Sequence, residues 1–178
     1  ESEFNGDISN WNVSNVEDMS SLFRDSKFNG DISKWDVSNV ESMYAMFRGS
    51  VFTGNLDEWD VSKVDDMRYM FSNSEFNGDL SKWNMENVEY TTSMFYHSSF
   101  TGENGDISKW NVSHVTDMQL MFNESVFNGD ISNWDVRCVT NMTYMFQDSR
   151  FNRDISKWKV DSLRKLSRMF MNSKFNKD

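Results

Sequence analysis

The seven tryptophans of this 178-residue chain recur at a nearly constant interval. They stand at positions 11, 35, 59, 83, 110, 134 and 158, so that five of the six spacings are 24 residues and one is 27. A fixed period of about 20 to 50 residues is the signature of a repeat array. The chain is therefore expected to fold as stacked copies of one unit and not around a single globular core.

Each unit follows one template, Phe-Asn-Gly-Asp-Ile-Ser-x-Trp-x-Val-Ser-x-Val-x-x-Met-x-x-Met-Phe, which first occurs at Phe4. Seven copies fit, and the residues from Phe175 onward look like the start of an eighth. The one change in length is three extra residues within 101–104, and repeat proteins place such insertions in loops. Because the chain has no proline and no break in its period, we predict a single elongated domain over residues 1–178, excerpted from a longer protein.

The apolar spacing within a unit predicts a short strand followed by a helical segment. Residues 8–13 reproduce the spacing L-x-x-L-x-L of a leucine-rich repeat, whose last part is a strand. Residues 16–23 step by three, three and one, which suits an α-helical or 3₁₀ segment, and Ser14 and Glu17 have the spacing of a capping box. The expected fold is an α/β repeat solenoid. It is a right-handed, leucine-rich-repeat-like coil with one parallel β-strand and one short helix per unit and with tryptophan facing inward.

The repeats resemble those of the BspA-like leucine-rich-repeat surface proteins, also known as the mycoplasma-type lipoprotein repeat. The motif that carries the resemblance, W-x-V-S-x-V-x-x-M-x-x-M-F, recurs along the whole chain. The resemblance implies a non-enzymatic repeat module at the cell surface or outside the cell, serving adhesion or the binding of a ligand or protein. It brings no catalytic residue and no defined binding residue to this chain.

Composition excludes several other classes of function. The net charge of −10 argues against nucleic acid as a partner, because phosphate binding requires clustered Lys and Arg. No apolar run approaches the roughly 18 to 20 residues that span a bilayer, so direct membrane insertion is not expected. No glycine-rich phosphate loop, pair of catalytic acids or metal-ligand set stands out. We therefore expect no enzyme activity and no cofactor.

If tryptophan points inward, the residues beside it point outward and form polar stripes along the stack. Extended repeat surfaces commonly bind other molecules, so these stripes are a candidate site for a protein or a glycan. The alternative is a merely solvated face that resists aggregation. The predicted binding face consists of Lys34, Asp36, Asp60, Lys82, Asn84, Lys109, Asn111 and Asp135.

The last unit differs in charge from all the others. Residues 150–178 contain nine basic and three acidic residues, a net charge of +6. End repeats are often atypical, so this unit is interpreted either as a cap or as a docking patch for an anionic partner. The residues of the predicted basic patch are Arg150, Arg153, Lys157, Lys159, Arg164, Lys165 and Arg168.

The aspartates that precede Ile-Ser in most units have two interpretations. They can form turns by accepting backbone amides, or they can stack as oxygen ligands for calcium. The turn is the more economical interpretation, because the G-G-x-G-x-D repeat of calcium-binding coils is absent. These residues are Asp7, Asp31, Asp79, Asp106, Asp130 and Asp154.

A second function remains open at this point. The chain can instead be a structural component of a viral or cell-envelope shell, associating with copies of itself end to end or side by side. The ligand, the anchoring and the number of repeats in the parent protein are not encoded in any pattern of these residues.

Overall fold

The computed structural model describes residues 2–177 and builds every unit from turns. We number the coils 1 to 7 by their tryptophans, from Trp11 to Trp158. The described residues form no helix, and only 5% of the chain takes part in β pairing. The pairing consists of isolated parallel bridges, one from each coil to the next. The main series of bridges joins Asp18, Ser42, Asp66, Tyr90, Asp117, Asn141 and Lys165.

Most coils change direction at four corners of the same chemical design. At each corner a side-chain oxygen accepts the backbone N–H of the residue two positions later. Asp, Asn and Ser are suited to this bond, and in forming it they offer the backbone an alternative to helix or sheet. The four accepting residues of coil 2 are Asp31, Asp36, Ser42 and Ser50.

The segment expected to be helical is a run of successive turns. In coil 1 the Leu22 N–H donates to the Met19 carbonyl at 3.2 Å, as in an i to i+3 turn. Alternate amides donate out of the coil, and the Ser21 N–H bonds the Tyr44 carbonyl of coil 2 at 2.8 Å. A helix needs those same amides for its own carbonyls four residues back. We call residues 17–25 and their equivalents in the other coils the turn run.

The segment expected to be a strand is also not one. The Trp11 N–H closes a turn onto the Ile8 carbonyl at 3.0 Å, and the Val16 N–H closes the next turn onto Val13 at 2.9 Å. Among the described residues, no backbone hydrogen bond joins neighbouring coils along this segment. The expected α/β solenoid of leucine-rich-repeat type is therefore wrong, because neither its strand nor its helix is present.

Along this segment the tryptophan side chains, and not a strand, make the hydrogen bonds between neighbouring coils. In coil 2 the Trp35 indole Nε1–H donates to the Ile8 carbonyl of coil 1 at 3.1 Å. The same bond, at 2.9 to 3.2 Å, recurs in the five following coils. The donors are Trp59, Trp83, Trp110, Trp134 and Trp158.

The core consists of ladders of identical side chains, and the inward orientation of tryptophan is confirmed. Trp83 is 3% exposed and Phe71 is completely buried. Aromatic rings stack nearly parallel from coil to coil, with the centroids of Phe47 and Phe71 5.7 Å apart at an interplanar angle of 2°. The longer coil 5 keeps the ladder intact, since Phe100 and Phe127 still stack at 6.0 Å. Its extra residues form an outer loop, as expected of an insertion.

We predict that Trp83→Ala lowers the free energy of unfolding by roughly 3 to 5 kcal/mol, because a buried indole leaves a large cavity. The change also removes the donor to the Leu56 carbonyl. Urea unfolding monitored by circular dichroism measures the effect. The matched control is Trp11→Ala in coil 1, where the indole is 59% exposed and should contribute far less. Equal losses for the two variants would contradict the role assigned to the ladder.

Candidate binding surface

The predicted binding face lies on the outside of the stack, beside the buried tryptophans. Seven of its eight residues are exposed and Asp135 is half-buried. Its Asp and Asn residues have a structural task, because each accepts the N–H two residues later at a corner. These residues are Asp36, Asp60, Asn84, Asn111 and Asp135. Turn formation therefore explains why Asp and Asn recur on this face. Ligand binding by the face stays a prediction.

Charged side chains on this face also pair with one another. Lys82 contacts Glu58 and lies 3.1 Å from Asp57, and hydrogen bonds to these two carboxylates raise the pKa of Lys82. Two hydrogen bonds from the Arg137 guanidinium lower the pKa of Asp135 to about 2. Such pairs reduce the charge available to a partner. Lys34 has no carboxylate within 4.0 Å in the described part of the chain.

The residues of the predicted basic patch are all exposed. Arg153 and Lys157 line a hollow of about 370 Å³ together with Asp130 and Asp154. Lys157 and Lys159 border a second hollow with Asp135 and Arg137, and Arg168 lines a third region of the molecule. Carboxylates therefore lie beside part of this positive charge, and binding of an anionic partner by the basic patch stays a prediction.

The aspartates considered for calcium are turn formers. Each accepts the N–H of the residue two positions later, at 2.8 to 2.9 Å. Among the described residues, no group of three or more His, Cys, Asp or Glu side chains is arranged to hold a metal ion. Hydrogen bonds from the following serine lower the pKa of five of these carboxyls. The five are Asp7, Asp31, Asp106, Asp130 and Asp154.

A lowered carboxyl pKa gives stability above the unfolded value, near 3.9, that is lost as the pH falls through the folded value. We therefore predict that replacing Asp31 and Asp130 together with Asn reduces the loss of thermal stability between neutral pH and acid pH. Asn keeps the acceptor oxygen, as Asn55 does naturally in coil 3. Melting curves across this pH range measure the effect. The control is the exposed Asp65→Asn, and an equal reduction there would contradict the assignment.

The sequence analysis missed the surface formed by the turn runs, which carries aromatic and arginine side chains. All five tyrosines of the chain lie on it, at variable positions around the Met-x-x-Met-Phe motif. They are Tyr44, Tyr69, Tyr90, Tyr96 and Tyr144. The pattern was not found from the sequence, because the tyrosines occupy different positions of the repeat from coil to coil.

Part of this surface is hollowed into a groove of about 490 Å³. We call it the Tyr–Arg groove. It runs from coil 2 to coil 7, which is about 24 Å at the usual spacing of parallel-paired chains. Its principal residues, in order along the stack, are Arg48, Tyr69, Tyr96, Leu120, Tyr144 and Arg168.

Four of these side chains project from a strained backbone. The φ angles are 60° at Tyr69, 58° at Leu120, 61° at Tyr144 and 55° at Arg168, in the left-handed region that favours glycine. Each coil has a second left-handed position four residues later, and there the residues are mostly Gly, Asn and Asp, which tolerate it. Large side chains at the first position cost about 1 to 2 kcal/mol each in backbone energy. The same conformation occurs at Ser21, Ala45 and Ser93, so it belongs to the turn run of every coil.

The two ends of the groove carry positive charge. The Arg48 guanidinium lies 5.4 Å from the ring centroid of Tyr69, and that of Arg168 lies 5.7 Å from Tyr144. No carboxylate of the described residues lies within 4.0 Å of either arginine. Arg68, outside the groove, differs because it pairs with Asp66 at 2.5 Å. The tyrosine rings thus orient two guanidinium groups that form no ion pair within the described part of the chain.

The middle of the groove carries negative charge. Glu124 of coil 5 is exposed and accepts a hydrogen bond from the Tyr96 hydroxyl at 3.1 Å. Burial and this bond raise the pKa of Tyr96, so the hydroxyl stays protonated at neutral pH. The order of charge along the groove is therefore positive, negative, positive.

We predict that Tyr144→Gly is more stable than Tyr144→Ala by about 1 kcal/mol, because glycine adopts a positive φ without steric strain. Chemical unfolding of the two variants measures the difference. The neighbouring Thr143 has no positive φ and serves as the control. There Gly should be less stable than Ala by about 0.5 to 1 kcal/mol. If the difference in unfolding free energy between the Gly and Ala variants had the same sign at both positions, it would contradict the strain assigned to Tyr144.

The part of the chain that the structure describes contains no helix long and apolar enough to cross a bilayer. None of the curated proteins is significantly similar to this chain, and the solved structures give no significant match either. The sequence profile of one family, described as Mycoplasma protein of unknown function, DUF285, matches residues 1–104 and again residues 98–178.

This match agrees with the mycoplasma-type repeat identified from the motif, but it gives no support to a BspA-like leucine-rich repeat in particular. The description of the chain as a leucine-rich repeat is wrong, since the coils lack the helix and strand content of that class. The family profile covers the chain from its first residue to its last. The chain belongs to the DUF285 family of mycoplasma repeat proteins.

Proposed function

We propose that the chain is a non-enzymatic binding module, displayed at the cell surface or outside the cell, that holds an extended partner in the Tyr–Arg groove. The observation that carries the proposal is the groove itself, which combines tyrosine, arginine and one leucine over six coils. Tyr and Arg are enriched at binding surfaces and supply a large share of the energy there.

The construction of the coils favours binding by a preformed surface. Alternate amides of the turn runs of coils 1 to 6 are bonded to the next coil, and tryptophan adds a further bond. The groove residues therefore project from a backbone that is fixed before any partner arrives. Preformed surfaces lose less conformational entropy on association, so more of the contact energy contributes to affinity.

The proposed location rests on family membership. Membership of a mycoplasma repeat family is consistent with a surface repeat module and supports display to the exterior. Adhesion is the form of binding that suits such a location. Antibody labelling of intact cells tests the location separately from binding.

We expect a groove variant, Tyr69→Ala with Tyr144→Ala, to lose at least one ligand that the unaltered chain binds on peptide and glycan arrays. The matched control, Lys34→Ala with Lys109→Ala, alters the predicted face beside the tryptophans and should retain that ligand. Circular dichroism establishes that both variants fold. Loss of the ligand by the lysine variant alone would transfer the site to that face, and the absence of any groove-dependent ligand would overturn the proposal.

A structural component of a viral or cell-envelope shell is the second candidate function. Sedimentation of the same samples distinguishes the two functions, because ordered growth with concentration favours assembly and a constant monomer favours the binding module.

A further inference from the structure

We infer that the partner of the Tyr–Arg groove is an extended peptide whose charges follow the order acidic, basic, acidic. The inference rests on the proposed function and adds the chemical class and the charge spacing of the ligand. It follows from three ionic groups of the groove, namely Arg48 at one end, Glu124 between, and Arg168 at the other end.

The two arginines are prepared to receive carboxylates. A guanidinium presents its N–H donors as a planar fork that matches a carboxylate, and stacking on an aromatic ring leaves the edge of that fork accessible. The Arg48 guanidinium lies over the Tyr69 ring and that of Arg168 lies over the Tyr144 ring, and Nη1 of Arg168 also donates to the Tyr144 hydroxyl at 3.4 Å. Three of the six arginines outside the groove, Arg24, Arg68 and Arg137, each pair with an aspartate in the described part of the chain.

Glu124 selects against a wholly anionic ligand. Its carboxylate is exposed in the groove and is bonded on one side by the Tyr96 hydroxyl, which leaves its other acceptor sites open to a cation. A glycan offers neutral or acidic groups in the main, whereas a peptide offers both signs of charge within a short length. Alternation of charge along the groove therefore favours a peptide.

The stack fixes the spacing of these charges. Arg48 and Glu124 are three coils apart, about 14 Å, and Glu124 and Arg168 are two coils apart, about 10 Å. An extended peptide advances about 3.3 Å per residue. The complementary peptide thus has its basic residue about four positions after the first acidic residue, and its second acidic residue about three positions later. Tyr69, Tyr96, Leu120 and Tyr144 lie between these charges and suit apolar intervening side chains.

The test uses two synthetic peptides of the same length and the same intervening residues. One has aspartate, lysine and aspartate at its first, fifth and eighth positions, and the other has lysine, aspartate and lysine there. We expect the first to bind the whole chain at least about tenfold more tightly by calorimetry, because each charge meets its opposite. Combined Arg48→Gln and Arg168→Gln should abolish this preference, and Arg150→Gln, outside the groove, should leave it intact.

Failure of this inference is distinguishable from failure of the proposed function. Equal affinity of the two peptides, or no binding of either while a glycan still binds in a groove-dependent way, would overturn the peptide and leave the binding module standing. Tighter binding of the charge-reversed peptide would overturn the inference as well. Absence of every groove-dependent ligand would overturn both.

Discussion

Backbone amides and carbonyls that belong to neither helix nor sheet still require partners when they are buried. In this chain they find them at fixed positions of the adjacent coil. Alternate amides of the turn run bond the next coil, and the indole of tryptophan bonds the preceding one. Both bonds exist only if neighbouring coils are in register, which the 24-residue repeat secures and which coil 5 keeps by placing its extra residues in an outer loop. The 24-residue period, the ladders of Phe and the buried Trp all follow from this requirement.

The sequence predicted which side chains are inside and failed to predict how the backbone connects them. A spacing of three, three and one is met equally well by successive turns and by a helix, because both return a side chain to the core after about one turn. The deciding residues are at the corners. Asp31, Asp36, Ser42 and Ser50 bond backbone amides locally, and that competition removes the helix. Apolar spacing of leucine-rich-repeat type therefore says nothing decisive about secondary structure here.

The candidate site was missed for a related reason. The predicted binding face was chosen among residues that recur in each coil. The most regular of the exposed residues, such as Asp60 and Asn84, form corners. The groove depends on residues that differ from coil to coil, such as Tyr69, Leu120 and Arg168. Their proximity results from stacking and spans about a hundred residues of sequence. A comparison that looks for repeated residues passes over such variable positions. Once the turns are known, large side chains at a left-handed position do identify this surface.

In the turn run the main chain forms the scaffold and the variable side chains form the surface. Its hydrogen bonds are made by the main chain, so they are the same whether Ser93 or Tyr144 occupies the left-handed position. Duplication or loss of one repeat by recombination would keep every bond between coils and move part of the groove by one coil relative to the rest. Such events would change the distance between ionic groups in whole steps of the stack. The charge spacing of the groove can therefore change through copy number as well as through point substitution, while the buried ladders remain unchanged.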